Sequence, residues 1–282
     1  MNEYAFILGR DPRLSVLELV SYFDKENIKY QLKDFNKDVA TFLLQDLDFN
    51  KIINRLGGTI KIGRLIKELK EIYNFNKNKI TYAVNFYQTQ NKNIIEELKG
   101  IFKEEKIKAV RKYVSSEEID PSKSLNLDLE LILYRNKTYM VIAVSNPKGY
   151  KKRDESRPAF DPLRVISIRL AKILINLSKA NKEILDPFCG TGTILQEALL
   201  MNLNVVGSDV NVEAAKRNLE WLGNNYKNKW KLFRTDVKDV SKYVKVVECV
   251  VTEPYLGPYF RKLPTEEEII DIFTDNLLEY NI

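Results

Sequence analysis

No histidine occurs anywhere in the 282 residues, and cysteine occurs only twice, at Cys189 and Cys249. Imidazole is the commonest metal ligand and the side chain best suited to proton transfer near neutral pH, so the chemistry is expected to run without it and without a metal. Two cysteines in apolar, strand-like surroundings build neither a disulfide framework nor a metal cluster. No uninterrupted apolar stretch approaches the ~18 residues that a membrane helix needs. The opening, MNEYAFILGRDPRLSVLEL, lacks the basic start and long apolar run of a signal peptide. Together these absences predict a cytoplasmic protein with no membrane partner.

What is present is ordinary globular material: 44% hydrophobic and 30% charged residues, enough for a sizeable core. The length predicts two or three domains. The net charge is +6, and it is unevenly spread. Residues 1 to 150 hold 25 Lys/Arg against 20 Asp/Glu, and the remainder holds 20 against 19. The excess in the first half suits a phosphate backbone, although Lys-, Asn- and Ile-rich usage also follows from an AT-rich genome.

Along the chain, a strand over Tyr4–Leu8 precedes a helix opened by Asp11-Pro12, with an apolar face of Leu14, Leu17, Leu19 and Tyr22. Strands near Tyr30–Phe35 and Val39–Leu44, a helix over Phe49–Leu56, a break at Gly57-Gly58 and a strand over Ile60–Leu65 complete a β-α-β-β-α-β, ferredoxin-like unit. After the polar stretch Tyr73–Lys79 come a strand at Ile80–Phe86, an amphipathic helix at Asn93–Lys106, a strand at Lys108–Tyr113, and a hairpin of Leu129–Tyr134 with Thr138–Val144. NPKGYKKRDESRP, residues 146–158, is a polar and basic connector. A helix over Leu163–Leu177 follows, and then strands (Ile184–Pro187, Val205–Ser208, Lys231–Phe233, Val246–Thr252) alternate with helices (Thr193–Met201, Glu213–Leu222), which argues for a parallel sheet with crossover helices.

The strongest signal is ILDPFCGTGTILQEAL. An apolar strand ends at Asp186, a loop carries Gly190 and Gly192, and a helix starts near Thr193 with its free N–H groups. A second strand ends at Asp209, at the spacing of an acid that receives the two hydroxyls of an adenosine ribose. A dinucleotide site wants G-x-G-x-x-G, and a phosphate loop wants G-K-[ST]; the loop here has neither. Asp186 at the loop entrance repels a pyrophosphate but attracts a cationic methionine moiety, so S-adenosylmethionine fits better than NAD or ATP. Asp236, after the third strand, is either a hydrogen-bond acceptor for the adenine amine or a helix N-cap.

The segment KRDESRP…LAKILINLS…ILDPFCGTGTILQEALLMN…VVGSDVN…NLEWL resembles the THUMP-containing tRNA guanosine N2-methyltransferases that modify the tenth nucleotide of tRNA. FILGRDPRLSVLEL and LGGTIKIGRL look like that family's N-terminal ferredoxin-like domain. The resemblance implies an α/β chain with an N-terminal ferredoxin-like domain (1–72), a THUMP-like RNA-binding module (73–147), a basic linker (148–162) and an incomplete Rossmann-like class I methyltransferase domain (163–282). It implies that Asp186, Gly190 and Gly192 cradle the methionine end of S-adenosylmethionine, with Phe188 also in the cofactor site, that Asp209 holds the ribose and Asp236 the adenine, and that tRNA is the partner. A small activating subunit is compatible with it.

Amine methyltransferases similar to this one end their fourth strand with Asp/Asn-Pro-Pro-Tyr, because the lone pair of an exocyclic amine is delocalised into its ring. The site must accept hydrogen bonds from the N–H groups while an aromatic ring holds the base. Here the positions read Thr252-Glu253-Pro254-Tyr255. Tyr255 suits base stacking, Thr252 offers an uncharged acceptor, and Glu253 offers a carboxylate one position along. Lys151, Lys152, Arg153 and Arg157 are candidate phosphate contacts; the alternative is a solvated surface shared with Asp154 and Glu155. The chain is expected to be a fragment or truncated reading frame, because only a charged helix near Thr265–Tyr280 follows a fourth strand that is apolar on both faces. Two rival functions stay open: an RNA-binding protein that has lost its amine chemistry, and a methyltransferase acting on another nucleic-acid amine.

Overall fold

A computed structural model describes residues 1–72, 77–89, 93–114, 118–160, 165–254 and 264–270. The chain divides into two compact units, one of residues 1–157 with 167–181, the other of residues 158–166 with 182–282.

The first unit is built on β1 (Asn2–Leu8), α1 (Pro12–Lys25), β2 (Tyr30–Phe35), β3 (Val39–Leu44), α2 (Phe49–Arg55) and β4 (Thr59–Ile66). It continues through β5 (Lys79–Tyr87), α3 (Ile94–Glu104), β6 (Lys108–Arg111), α4 (Pro121–Ser124), β7 (Leu129–Tyr134), β8 (Lys137–Val144), α5 (Pro147–Ser156) and α6 (Ile168–Ser178). Strands β1 to β4 take the order β2-β3-β1-β4, all antiparallel, as a ferredoxin-like unit requires. The sheet does not stop there. β4 pairs with β8, so that one sheet of order β2-β3-β1-β4-β8-β7-β5-β6 runs through both halves of the unit. Residues 147–156, a connector by composition, form a helix because Pro147 presets the first turn and Asn146 Oδ1 accepts the Gly149 N–H at 2.9 Å. The helix read from sequence as the start of the catalytic half, α6, belongs to this first unit.

Two buried polar devices hold this unit, and neither follows from hydrophobic periodicity. Asp11 caps α1 by accepting the Leu14 N–H at 3.0 Å. The apolar stripe then departs from expectation: Leu17 is exposed, and Glu18 takes the buried position beside it. The reason lies at Gly57-Gly58, where a Cβ on residue 57 would lie 2.0 Å from the Arg169 carbonyl oxygen. The bare backbone there needs an acceptor, and Glu18 takes the Gly57 and Gly58 N–H groups at 2.8 and 2.7 Å and the Asn176 amide at 2.7 Å. Burial pushes the Glu18 carboxyl above its usual range. The second device is Lys61, 1% exposed, which donates to Glu130 and to the Ile119 carbonyl, each at 2.5 Å. Asn85 completes the network by donating to Glu130 at 2.7 Å and accepting the Ile119 N–H at 2.9 Å.

The second unit contains β9 (Glu183–Asp186), α7 (Thr193–Leu200), β10 (Asn204–Asp209), α8 (Glu213–Trp221), β11 (Trp230–Arg234) and β12 (Cys249–Val250). The four strands are parallel, in the order β11-β10-β9-β12, with α7 and α8 as crossovers. This is the Rossmann-like half-sheet, whose order reverses beside β9. The fourth strand is shorter than its apolar run, Val246–Thr252, implied. Among the described residues it pairs only with β9, through Cys249 and Val250, and Val246 is 87% exposed. A single ladder two residues long fixes only those two residues in the strand. Residues 266–270 are helical, and the rest of the helix expected over Thr265–Tyr280 lies outside the described residues. No helix among the described residues is long and apolar enough to cross a membrane, and they contain no group of three metal-ligating side chains.

Replacing Glu18 by Leu fills the same buried position with an apolar side chain but strips the Gly57 and Gly58 N–H groups of their acceptor. The expected cost is about 2–6 kcal/mol of unfolding free energy, at 1–3 kcal/mol for each orphaned donor. Urea unfolding checks it, and a loss below 1 kcal/mol would show that the carboxylate is dispensable.

Candidate active site

The site lies at the carboxyl ends of β9 and β10, where the strand order reverses. β9 delivers Asp186 into the unit's interior at 2% exposure. Its Oδ1 accepts the Thr252 hydroxyl at 2.6 Å and the Phe188 N–H at 3.2 Å. Asp186 thus joins the loop that follows β9 to the segment that leaves β12. Burial is the main reason its carboxyl is pushed up to about 7; the Thr252 and Phe188 hydrogen bonds oppose this, and the nearby charges of Asp209 and Glu253 add to it.

The loop that follows is shaped by two glycines in the left-handed region, Gly190 at φ +49° and Gly192 at φ +80°. At Gly192 a side chain would also press on Ala215, since a Cβ there meets Ala215 Cβ at 3.2 Å. The loop is pinned from both sides. Cys189 N–H donates to the Ser208 carbonyl at 3.0 Å, and Gly190 N–H donates to Asp209 Oδ2 at 2.9 Å. The other Asp209 oxygen accepts the Asn211 N–H at 3.1 Å, so this carboxylate is oriented at the end of β10 with lone pairs to spare. Burial pushes the Cys189 thiol up, which leaves it a neutral packing group.

A cleft opens above this loop, lined by Ile166, Asp186, Phe188, Gly190, Thr193 and Glu253, among others. Among the described residues its charged lining is anionic: Asp186 and Glu253 face it, and no Lys or Arg does. The first turn of α7 adds N–H groups at its edge. A pyrophosphate meets repulsion in such a cleft, whereas a ligand with cationic sulfonium and ammonium groups meets complementary charge. The left-handed glycines let a flat ligand approach the backbone. The residues present therefore fit S-adenosylmethionine.

The structure brings Asp186, Phe188, Gly190, Asp209, Thr252 and Glu253 into this one region. Pro254 follows on the exposed surface, and Tyr255 lies outside the described residues. Asp236 is exposed and is not part of the cleft lining; its carboxylate accepts the Lys238 N–H at 2.9 Å and caps the short 3-10 turn Val237–Lys242. The basic candidates separate by exposure. Lys151 and Lys152 are exposed, Arg153 lies 5.7 Å from the Tyr150 ring centroid, and Arg157 is only 5% exposed and paired with Asp154 at 2.6 Å. Arg157, expected as a phosphate contact, is instead a buried structural cation.

One supporting residue escapes motif reasoning. Asn218 of α8 is fully buried and donates to the Thr191 and Ala159 carbonyls, each at 2.8 Å, while accepting the Ala159 N–H at 2.9 Å. It ties the glycine loop to the segment before it. The available signal was an amide on the apolar face that Ala215 and Leu219 define.

The sheet order, the glycine loop and the acid closing each of the first two strands define a methyltransferase-type Rossmann domain. Residues 156–279 match the family model described as "RMKL-like, methyltransferase domain". Over 119 residues the chain is 34% identical to a probable tRNA (guanine(10)-N2)-dimethyltransferase of Methanothermococcus thermolithotrophicus, using 38% of this chain and 70% of that one. The chain belongs to the tRNA guanine-N2 methyltransferase family. It is also 38% identical over 125 residues to the tRNA (guanine(10)-N2)-dimethyltransferase of Methanothermobacter thermautotrophicus, an alignment spanning 43% of this chain but only 36% of that protein's length. Among solved structures, TrmN from Thermus thermophilus matches with a TM-score of 0.53 at 12% identity, covering 90% of this chain and 80% of that one. A possible methylase from Clostridium difficile 630 matches at 0.51 and 14%, covering 97% and 85%. These two likenesses show the fold.

The raised Asp186 carboxyl has a consequence for stability. Between its unfolded value of 3.8 and its folded value of about 7, the folded state holds a proton that the unfolded chain releases. Its contribution is therefore complete below pH 4 and is lost as pH rises through 7. Asp186→Asn removes the titration. Between pH 5 and pH 8 the wild type should lose about 2–3 kcal/mol relative to the variant in urea unfolding, and parallel profiles would contradict the assignment.

Proposed function

We propose that this protein transfers a methyl group from S-adenosylmethionine to the exocyclic N2 amine of a guanosine in tRNA, the guanosine at position 10. The observation that carries the reading is the 2.6 Å hydrogen bond between Asp186, in the wall of an anionic cleft, and Thr252, at the exit of β12. It supports a seat for a cationic donor beside the segment that, in this reading, meets the amine. The bound donor supplies an electrophilic methyl carbon on sulfur. The chain supplies position and potential: Asp209 accepts from the ribose hydroxyls, and Asp186 with Glu253 offsets the donor's positive charge. Thr252 and the neighbouring backbone accept from the amine N–H groups, and Tyr255 stacks on the base. Because the acceptor nitrogen is a weak nucleophile, holding amine, methyl carbon and sulfur in line is the main source of rate.

We assign the rest of the chain to RNA. The ferredoxin-like strands (1–72) and the THUMP-like module (73–147) grip the tRNA, while Lys151 and Lys152 on the exposed side of α5 touch phosphates without reading sequence. Asp236 serves the adenine amine if it turns from its capping role when the donor binds. The family assignment, the net charge of the first half and the cleft chemistry support this reading.

Unmodified tRNA incubated with the protein and methyl-labelled S-adenosylmethionine should yield N2-methylated guanosine on nucleoside mass analysis. No transfer, or label on a pyrimidine or a ring nitrogen, would contradict the proposal. Asp209→Ala should weaken donor binding by about 1–3 kcal/mol in calorimetry, through loss of its hydrogen bonds. Unchanged affinity would remove Asp209 from the ribose site.

A further inference from the structure

We infer that Asp186 and Thr252 act as one unit on the acceptor amine: Asp186 positions the Thr252 hydroxyl and receives, through it, the proton that methylation releases. The inference rests on the proposed amine transfer and assigns to Asp186 a duty beyond offsetting the donor's charge. Its basis is geometric. A threonine hydroxyl has one hydrogen and two lone pairs. Here the hydrogen is committed to Asp186 Oδ1 at 2.6 Å, within the range of a hydrogen bond to a charged acceptor. The lone pairs are thereby turned away from Asp186, and the Thr252 oxygen is made more basic by the carboxylate behind it. Threonine without such a partner presents hydrogen or lone pair indifferently. With Asp186 fixed at 2% exposure and also held by the Phe188 N–H, the hydroxyl presents an acceptor.

The bookkeeping closes. The amine lone pair forms the N–C bond as the C–S bond breaks, and the C–S electron pair stays on sulfur as a neutral thioether. The nitrogen, now carrying the positive charge, gives a proton to the Thr252 oxygen while the Thr252 hydrogen moves to Asp186 Oδ1. The products are a neutral secondary amine, an unchanged threonine and a protonated Asp186, which then loses its proton to water through the cleft. Timing favours the direction. Before transfer, the donor's positive charge holds Asp186 ionised; after transfer that charge is gone from sulfur, and the buried carboxylate regains its affinity for a proton when the nitrogen must lose one. The groups bearing on Asp186 are Asp209 from β10, the Cys189 thiol in the glycine loop, and Glu253 with Thr252 from the segment leaving β12. Both charged neighbours are anionic and reinforce proton uptake, and Asp186 titrates near neutrality.

Three variants test the unit: Thr252→Val, which keeps the shape and removes the hydroxyl; Thr252→Ser, which restores it; and Asp186→Asn. In the ligand-free protein, carbon NMR of the Asp186 carboxyl should show its midpoint rising by about one unit or more in Thr252→Val and staying near the wild-type value in Thr252→Ser. With tRNA and saturating donor, kcat of the wild type and of Thr252→Ser should rise with pH through the Asp186 midpoint of the donor-bound protein, which the donor's positive charge sets below the free-protein value. Thr252→Val and Asp186→Asn should lose about 100-fold or more and show no such rise, and in Thr252→Val the KM for the donor, measured above the Asp186 midpoint of both proteins, should move less than threefold. A Thr252→Val variant with an unmoved Asp186 midpoint, or with the wild-type pH profile, overturns the inference. A wild type that methylates no RNA overturns the proposed function and the amine role with it; an active wild type with the first of these outcomes overturns only the link between the two residues.

Discussion

The second unit depends on one constraint: a carboxylate kept almost dry at the end of β9. Removing Asp186 from water is costly, and the structure offsets the cost with two donors, the Phe188 N–H and the Thr252 hydroxyl, rather than with a cation. That choice leaves the cleft with unbalanced negative charge, shared with Asp209 and Glu253. A cavity so charged, at the switch point of a parallel sheet, is poised for a positively charged ligand and closed to a phosphate. The glycines, the loop hydrogen bonds and the Asn218 brace all fix the backbone around this carboxylate.

The first unit solves a different problem by similar means. Its core is aromatic and aliphatic, with Phe6, Phe23 and Phe42 in mutual edge contacts. Yet the places where backbone comes too close for a side chain, or where the two halves of its long sheet meet, are held by buried charge: Glu18 on Gly57-Gly58, and Lys61 on Glu130. Such pairs add little net stability compared with apolar packing but are severe when broken, so they specify one arrangement. The electrostatic design of both units is to bury a charge where geometry must be unique.

Much of this was legible in the sequence. β3 and β7, apolar runs buried along almost their whole length, fall where the pattern puts them, and so does β2, although none of its residues is buried. The glycine loop was legible because glycine is required by its backbone angles, and acids at strand ends mark one edge of the sheet. Other features were not. Glu18 and Asn218 sit on faces defined by their apolar neighbours, and only the three-dimensional location of a bare amide or carbonyl explains them. Arg157 sits in a strongly basic run, and nothing in its spacing distinguishes a buried cation from an exposed one. The brevity of β12 depends on its pairing partners rather than on its own apolar residues. The Thr252–Asp186 bond spans 66 positions, beyond the reach of any local pattern.

If the cleft holds a cationic methyl donor against an Asp186 that is only partly ionised beforehand, binding of the donor expels a proton. Calorimetric titration of the protein with S-adenosylmethionine at pH 7, in two buffers of different ionisation enthalpy, tests it most directly. With a free-protein value of about 7, binding should release roughly half a proton, seen as a buffer-dependent heat. Absence of binding, or binding heats identical in both buffers, would contradict it.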